Sequence, residues 1–276
     1  MTVPGVSAAG DVLQARTDGE VGFFEKELRG TVEALFRTGF SIRTGKGLFW
    51  ITRERERLHT RAGFLSRMNF PDPAVGCAVL FRPGEISFGA RRFPLLRTVV
   101  PPRRLKRIDP AFLERNLRFL RRIVTLALGQ REKEKVQRYE ASVEERGRSG
   151  LLSFEDFLSL FGTGPGSTPL ADDFFTGLLL GDRWFCSQRG GEVIITPFFL
   201  ERLRERTNHV AWAQIEMARR GQSVILIERL LAAMGRKNVS GSLVWRCARL
   251  GASSGAAILS GLCVAVCRSM RRRKAA

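Results

Sequence analysis

Two adjacent carboxylates, Asp172 and Asp173, stand just beyond a run in which every second residue is glycine: Gly162, Gly164 and Gly166. Glycines at this density let a backbone approach a ligand closely, because no Cβ atoms intervene. The spacing puts Thr168 at a helix N-cap and Pro169 at the first helical position, where its missing N–H costs nothing. Unpaired N–H groups and a partial positive charge at a helix N-terminus suit a phosphate or a carboxylate. Gly162, Gly164, Gly166, Ser167 and Thr168 are therefore the candidate anion-binding residues. The loop is not a P-loop, since the closing Gly-Lys-Ser/Thr is absent.

Asp172 and Asp173 are the candidate catalytic residues. The segment after them, Phe174–Leu180, is apolar on every side and predicts a buried helix, so both carboxylates need partners. Three roles are open to them. They could hold a divalent cation such as Mg²⁺, although neighbours on a helix point about 100° apart and only one would coordinate. One could act as a general base, which requires a raised pKa. The preferred role is to orient an amide of the ligand, because carboxylates accept the hydrogen bonds that NH₂ groups donate. Ser253, Ser254 and Gly255 form a second candidate wall of the site, with Ser253 read as an N-cap. A serine nucleophile needs a base beside it, and Ala252 supplies none. His209, next to Thr207 and Asn208, reads as structural.

The same residues carry a resemblance. Gly162–Gly177 is similar to the signature Gly-x-Gly-Pro-Gly-x-Thr-Pro-x-Gly-Asp-Asp-Phe-x-x-Gly of the H subunit of oxamate carbamoyltransferase, departing from it at Ala171. Thr207–Gly221 follows the family's spacing of Thr, a branched apolar residue, Ala and Gly. Leu250–Gly261 resembles its Gly-His-Ser-Ser-Gly-x-Asp segment. Ala252 stands where the family has His, Ala257 where it has Asp and Ala211 where it has Ser, so the chain reads as a divergent member. The resemblance implies transfer of a carbamoyl group between an oxalurate-like ureido compound and phosphate. It also implies partner subunits in a hetero-oligomer, onto which an Arg-rich helix near 115–122 could dock. Two alternatives remain: a non-catalytic scaffold subunit that keeps the fold, and a basic nucleic-acid-binding protein.

Several elements must position these residues. Residues 1–20 lack periodicity and are expected to be disordered. Between 21 and 102, short runs at Thr31–Arg37, Phe40–Arg43, Leu48–Thr52, Cys77–Phe81 and Glu85–Phe88 predict a β-rich domain, with a hairpin at Pro83-Gly84 and a helix around Arg57–Met68. Residues 103–150 read as a basic helix opened by Asp109-Pro110, then a charged exposed helix or linker. Ser153 and Asp156 resemble a capping box. Residues 151–270 read as a helical domain, with helices near 170–181, 197–206, 208–220, 223–234, 241–250 and 253–270. A basic tail, 271–276, follows. The fold class is α+β.

Composition narrows the function. The formal net charge is +19, and residues 91–122 alone hold 11 basic and two acidic groups. Such a patch attracts nucleic acid, anionic lipid or an acidic partner subunit. No aromatic–basic interleaving supports single-strand binding. Five cysteines without a CxxC pair and two histidines do not make a zinc site, and free thiols in a cytoplasmic protein are expected. Met1–Gly19 lacks the basic start and apolar run of a signal peptide. Leu250–Cys267 has the length of a membrane span, and Gly251 and Gly255 form a GxxxG pair. Its serines, alanines and glycines make it only mildly apolar, so membrane insertion is not expected.

Overall fold

The computed structural model describes residues 13–17, 27–54, 57, 62–64, 72–99, 108–146, 155–163, 168–186 and 197–275. The chain divides into two compact units, 1–102 and 103–276. Together they make an α+β protein, β-rich first and helical second.

The first unit is a closed barrel. Its strands are β1 (Leu13–Thr17), β2 (Leu28–Phe36), β3 (Gly39–Thr44), β4 (Gly47–Thr52), β5 (Ala62–Phe64), β6 (Ala78–Arg82), β7 (Glu85–Phe88) and β8 (Arg91–Val99). The order around the barrel is β1-β5-β4-β3-β2-β6-β7-β8. Pairing is antiparallel except between β1 and β8 and between β4 and β5. Alternating residues turn inward, and Phe40, Phe49, Phe81, Phe88 and Phe93 fill the core with Ile42, Ile51 and Ile86. The rings meet edge to face, Phe49 with Phe81 at 5.3 Å and Phe40 with Phe88 at 5.5 Å between centroids. Two expectations are corrected here. Leu13–Thr17 is a strand, although it lies in the segment read as disordered. The described part of the expected helix around 57–68, Ala62–Phe64, is also a strand. Both gain backbone partners from strands distant in sequence, which local periodicity does not show.

The second unit contains α1 (Pro110–Ala127), α2 (Gln130–Arg146), a 3₁₀ turn (Glu155–Leu160), α3 (Leu170–Gly181), a π turn (Asp182–Cys186), α4 (Pro197–Arg206), α5 (His209–Arg219), α6 (Ile225–Met234), α7 (Gly241–Ala248) and α8 (Ser254–Ala275). Asp109 caps α1, its side chain accepting from the N–H groups of Ala111 and Phe112. Leu113, Leu117, Leu120, Val124 and Leu128 bury the apolar stripe, while Arg115, Arg118, Arg121 and Arg122 face solvent. Asn116 lies within that stripe and is also buried. Its Nδ2 donates to the carbonyls of Met234 (2.9 Å) and Lys237 (2.8 Å), and its Oδ1 accepts from Val239 N (3.1 Å), which pins the α6–α7 turn to α1.

The charged segment after α1 is helix α2, not a linker, and it packs Val136 and Val143 into the core. The expected basic tail is likewise the last turns of α8, which runs to Ala275. Arg268 of α8 is buried and donates to Val143 O at 2.8 Å, and Arg271 pairs with Glu144. Cations at the end of α2 complement the carbonyl-rich C-terminus of that helix.

At the centre is α3, buried from Ala171 to Gly181. It touches α8 backbone to backbone. A Cβ on Gly177 would lie 1.8 Å from Ile258 O, and one on Gly261 would lie 1.9 Å from Phe174 O. Only glycine fits at these two positions, and the contact sets α8's first turn beside α3's. Among the described residues no helix is long and apolar enough to cross a membrane.

Candidate functional site

The site lies where the first turns of α3 and α8 meet. Helix α3 begins at Leu170, with Pro169 at the N-cap position and no side-chain cap bond. Thr168 is therefore not the cap expected from the sequence. Its hydroxyl lies 3.0 Å from Asp173 Oδ2 and donates to it, a stronger bond than an amide would offer because the acceptor is a carboxylate.

The two aspartates have different surroundings. Asp172 has a partner on each side-chain oxygen. Its Oδ2 accepts from Gly162 N at 3.0 Å, its Oδ1 accepts from the Thr207 hydroxyl, and its carbonyl accepts from Thr176 Oγ1 at 2.9 Å. It thereby ties the start of the glycine loop and the α4–α5 junction to α3. Gly162 has φ +72°, and a Cβ there would sit 1.8 Å from Arg206 O, so the position needs glycine on both counts. Asn208 caps α5 through the N–H groups of Val210 and Ala211, and His209 beside it is exposed.

Asp173 is 1% exposed. Its Oδ2 takes the Thr168 hydroxyl, Ser254 adds a second hydroxyl bond, and the Thr168 and Ser254 oxygens are 2.9 Å apart. Its Oδ1 is buried and has no hydrogen-bond partner among the described residues. Burial lifts the Asp173 pKa from 3.8 to about 7. The Ser254 and Thr168 hydroxyls pull it back, and the neighbouring Asp172 charge adds to the rise. Burial also raises Asp172, against the opposing pull of Thr207 and Gly162 N. Tyr139 of α2 is raised by burial first and by the Asp172 charge second, so the phenol lies within the field of that carboxylate.

The structure thus brings Gly162, Thr168, Asp172, Asp173 and Ser254 together. Gly164, Gly166 and Ser167 lie outside the described residues, as does Ser153 of the expected capping box. Ser253 directly precedes α8, and its carbonyl accepts from Ala257 N at 3.0 Å. Gly255 is a packing residue: a Cβ there would fall 2.0 Å from Cys247 O. Ala211 and Ala257 are buried, Ala252 is exposed, and Ala171 lines a small apolar cleft with Tyr139, Phe157, Phe161 and Phe174. Sequence reasoning quoted Thr207 without giving it a role. A hydroxyl one residue before an Asn cap was the available signal.

Among the described residues no group of three or more His, Cys, Asp or Glu side chains could hold a metal. Cys77, Cys247, Cys263 and Cys267 are free thiols, and burial raises Cys263.

A buried aspartate pair, one member braced and the other with an oxygen left unpartnered, thus sits where two helix N-termini meet the start of a glycine loop. Residues 160–266 match the family model described as oxamate carbamoyltransferase subunit AllH, the family that the glycine-loop signature resembles. No curated protein and no solved structure matches the chain.

Proposed function

We propose that this chain is a subunit of a carbamoyltransferase-type enzyme acting on a small ureido or oxamate-type substrate with phosphate or carbamoyl phosphate. The family match supports a carbamoyltransferase-associated subunit. The observation that carries the chemistry is the open, buried oxygen of Asp173 beside two hydroxyls, at the end of a glycine loop. In this reading the glycine loop takes the anion through N–H groups other than that of Gly162, which Asp172 already holds, and Asp173 orients the carbamoyl amide from the position that Asp172 braces. A phosphate oxygen bonds the carbamoyl carbon, the bond from that carbon to the oxamate nitrogen breaks, and the nitrogen takes up a proton. Partner subunits, a cytoplasmic setting and any use of Mg²⁺ belong to the same proposal.

The second reading, a scaffold subunit without chemistry, is favoured by Ala211 and Ala257. Both are buried, and neither carries the polar group that the family signature has there.

A thermal-shift series on the full chain with carbamoyl phosphate, phosphate, oxamate and Mg²⁺ separates the two. Stabilisation by one of the anions, reduced in Asp173→Asn, is the expected result. No shift with any ligand, alone or with the other transferase subunits added, favours the scaffold.

A further inference from the structure

Asp172 and Asp173 are adjacent in sequence, but only Asp173 keeps a buried side-chain oxygen without a hydrogen-bond partner. We propose that Asp173 is the specificity-determining residue of this site: its Oδ1, supported by Thr168 and Ser254, receives an N–H of an uncharged amide or ureido group, while Asp172 is a positioning residue that never touches the ligand. The class of ligand rests on the carbamoyl-transfer reading. The division between the two aspartates rests on geometry alone.

Both side-chain oxygens of Asp172 already have a partner, Gly162 N and Thr207, and its carbonyl has Thr176. A ligand that took either partner's place would break the tie that shapes the loop. Asp173 is arranged otherwise. Thr168 and Ser254 fix one oxygen and leave the other bare in a buried setting, where an unmet acceptor is costly and a donor is correspondingly welcome. The cluster presents a carboxylate oxygen and hydroxyl lone pairs, which together are an acceptor surface. A divalent cation would require six or more oxygen ligands, and the nearest other carboxylate is already spent. A full ammonium charge calls for an ionised carboxylate, whereas burial keeps this one partly protonated near neutrality. A neutral N–H donor fits both forms, since a protonated carboxyl still offers a carbonyl oxygen.

The test uses matched probes on the full chain, by calorimetric titration. Carbamoyl phosphate and acetyl phosphate differ by NH₂ against CH₃, and oxamate and oxalate by an amide against a carboxylate. The wild type is expected to prefer the N–H-bearing member of each pair by about tenfold or more, as sites built around a substrate N–H do. That preference collapses in Asp173→Ala and shrinks in Ser254→Ala, which spares the carboxylate should the first variant fold poorly. In Asp172→Asn it persists, with a lowered melting temperature. Equal affinity within each pair overturns this proposal and leaves anion binding at the loop standing, as does a preference that survives Asp173→Ala. Failure of all four probes to bind overturns it together with the carbamoyl-transfer reading.

Discussion

Asp173 keeps its proton in the folded chain at pH values where the unfolded chain has lost it, with a pKa of about 7 against 3.8. Its contribution to stability is therefore fully present below pH 4 and is lost as pH rises through 7; above that, the group is charged in both states and the slope vanishes. A shift of this size corresponds to something on the order of 4 kcal/mol. Asp173→Asn removes the titration and retains most of the volume. Urea unfolding at pH 5 and pH 8 should show the wild type losing stability between them relative to the variant, which gains most at pH 8. Parallel losses in both proteins would mean that the carboxyl is solvated. Asp172→Asn should instead cost stability because it loosens a brace, even though burial raises the Asp172 pKa as well. It forfeits one of two side-chain acceptor bonds, to Gly162 N or to Thr207, and should cost about 1–3 kcal/mol at pH 7. Thr207→Val should cost a similar amount, and the double variant less than the sum, because both break one brace. An aspartate that costs stability at neutral pH beside one that supplies it is the pattern expected of a ligand-facing group held by a structural one.

The α3–α8 crossing tests the architecture at the level of elements. Gly177→Ala and Gly261→Ala each force a methyl to within 2 Å of a backbone oxygen on the facing helix, and neither helix can retreat without moving the other's first turn. Each should cost about 3 kcal/mol or more and lower the unfolding midpoint accordingly. Gly45→Ala meets nothing within 4 Å and should change stability by less than about 1 kcal/mol. These elements differed in how clearly the sequence announced them. The all-round apolar Phe174–Leu180 and the Asp109-Pro110 start signalled helices α3 and α1, because burial and capping leave local marks. Pro83-Gly84 did the same for the β6–β7 hairpin. In α2 the buried positions Val136 and Val143 are seven residues apart in a field of charge, so its apolar stripe is too thin to read as packing. The strand β8, with Arg91 and Arg92 exposed, lies in a segment that reads as basic; it forms a tight hairpin with β7, but its pairing with β1 is non-local. Asn116 reads as a break in an apolar stripe, yet it satisfies three backbone groups of another turn. The Asp-Asp motif was legible, but the opposite roles of its members depend on Gly162, Thr207 and Ser254, ten to 81 residues away in the chain.

Each unit of the whole molecule has its own core: a phenylalanine-rich barrel within 1–102 and a helical core within 103–276. The matched family segment, 160–266, falls wholly inside the second. So do all the described residues that build the site, and so does Tyr139 of α2, whose phenol feels the Asp172 charge. A chain of this length, about 170 residues, buries enough of its surface to fold alone. A fragment spanning 103–276 is therefore expected to give a helical circular-dichroism spectrum, to unfold in a single cooperative transition, and to keep whatever anion-induced stabilisation the full chain shows. Asp173→Asn in the fragment should reproduce its effect in the full chain at both pH values. A fragment that folds but no longer responds to any anion would assign part of the ligand's surroundings to residues 1–102. A fragment that does not fold would show that the helical core, despite its own close-packed centre at Gly177 and Gly261, depends on the barrel. With every described site residue inside the helical unit, retention of both folding and anion response is the expected result.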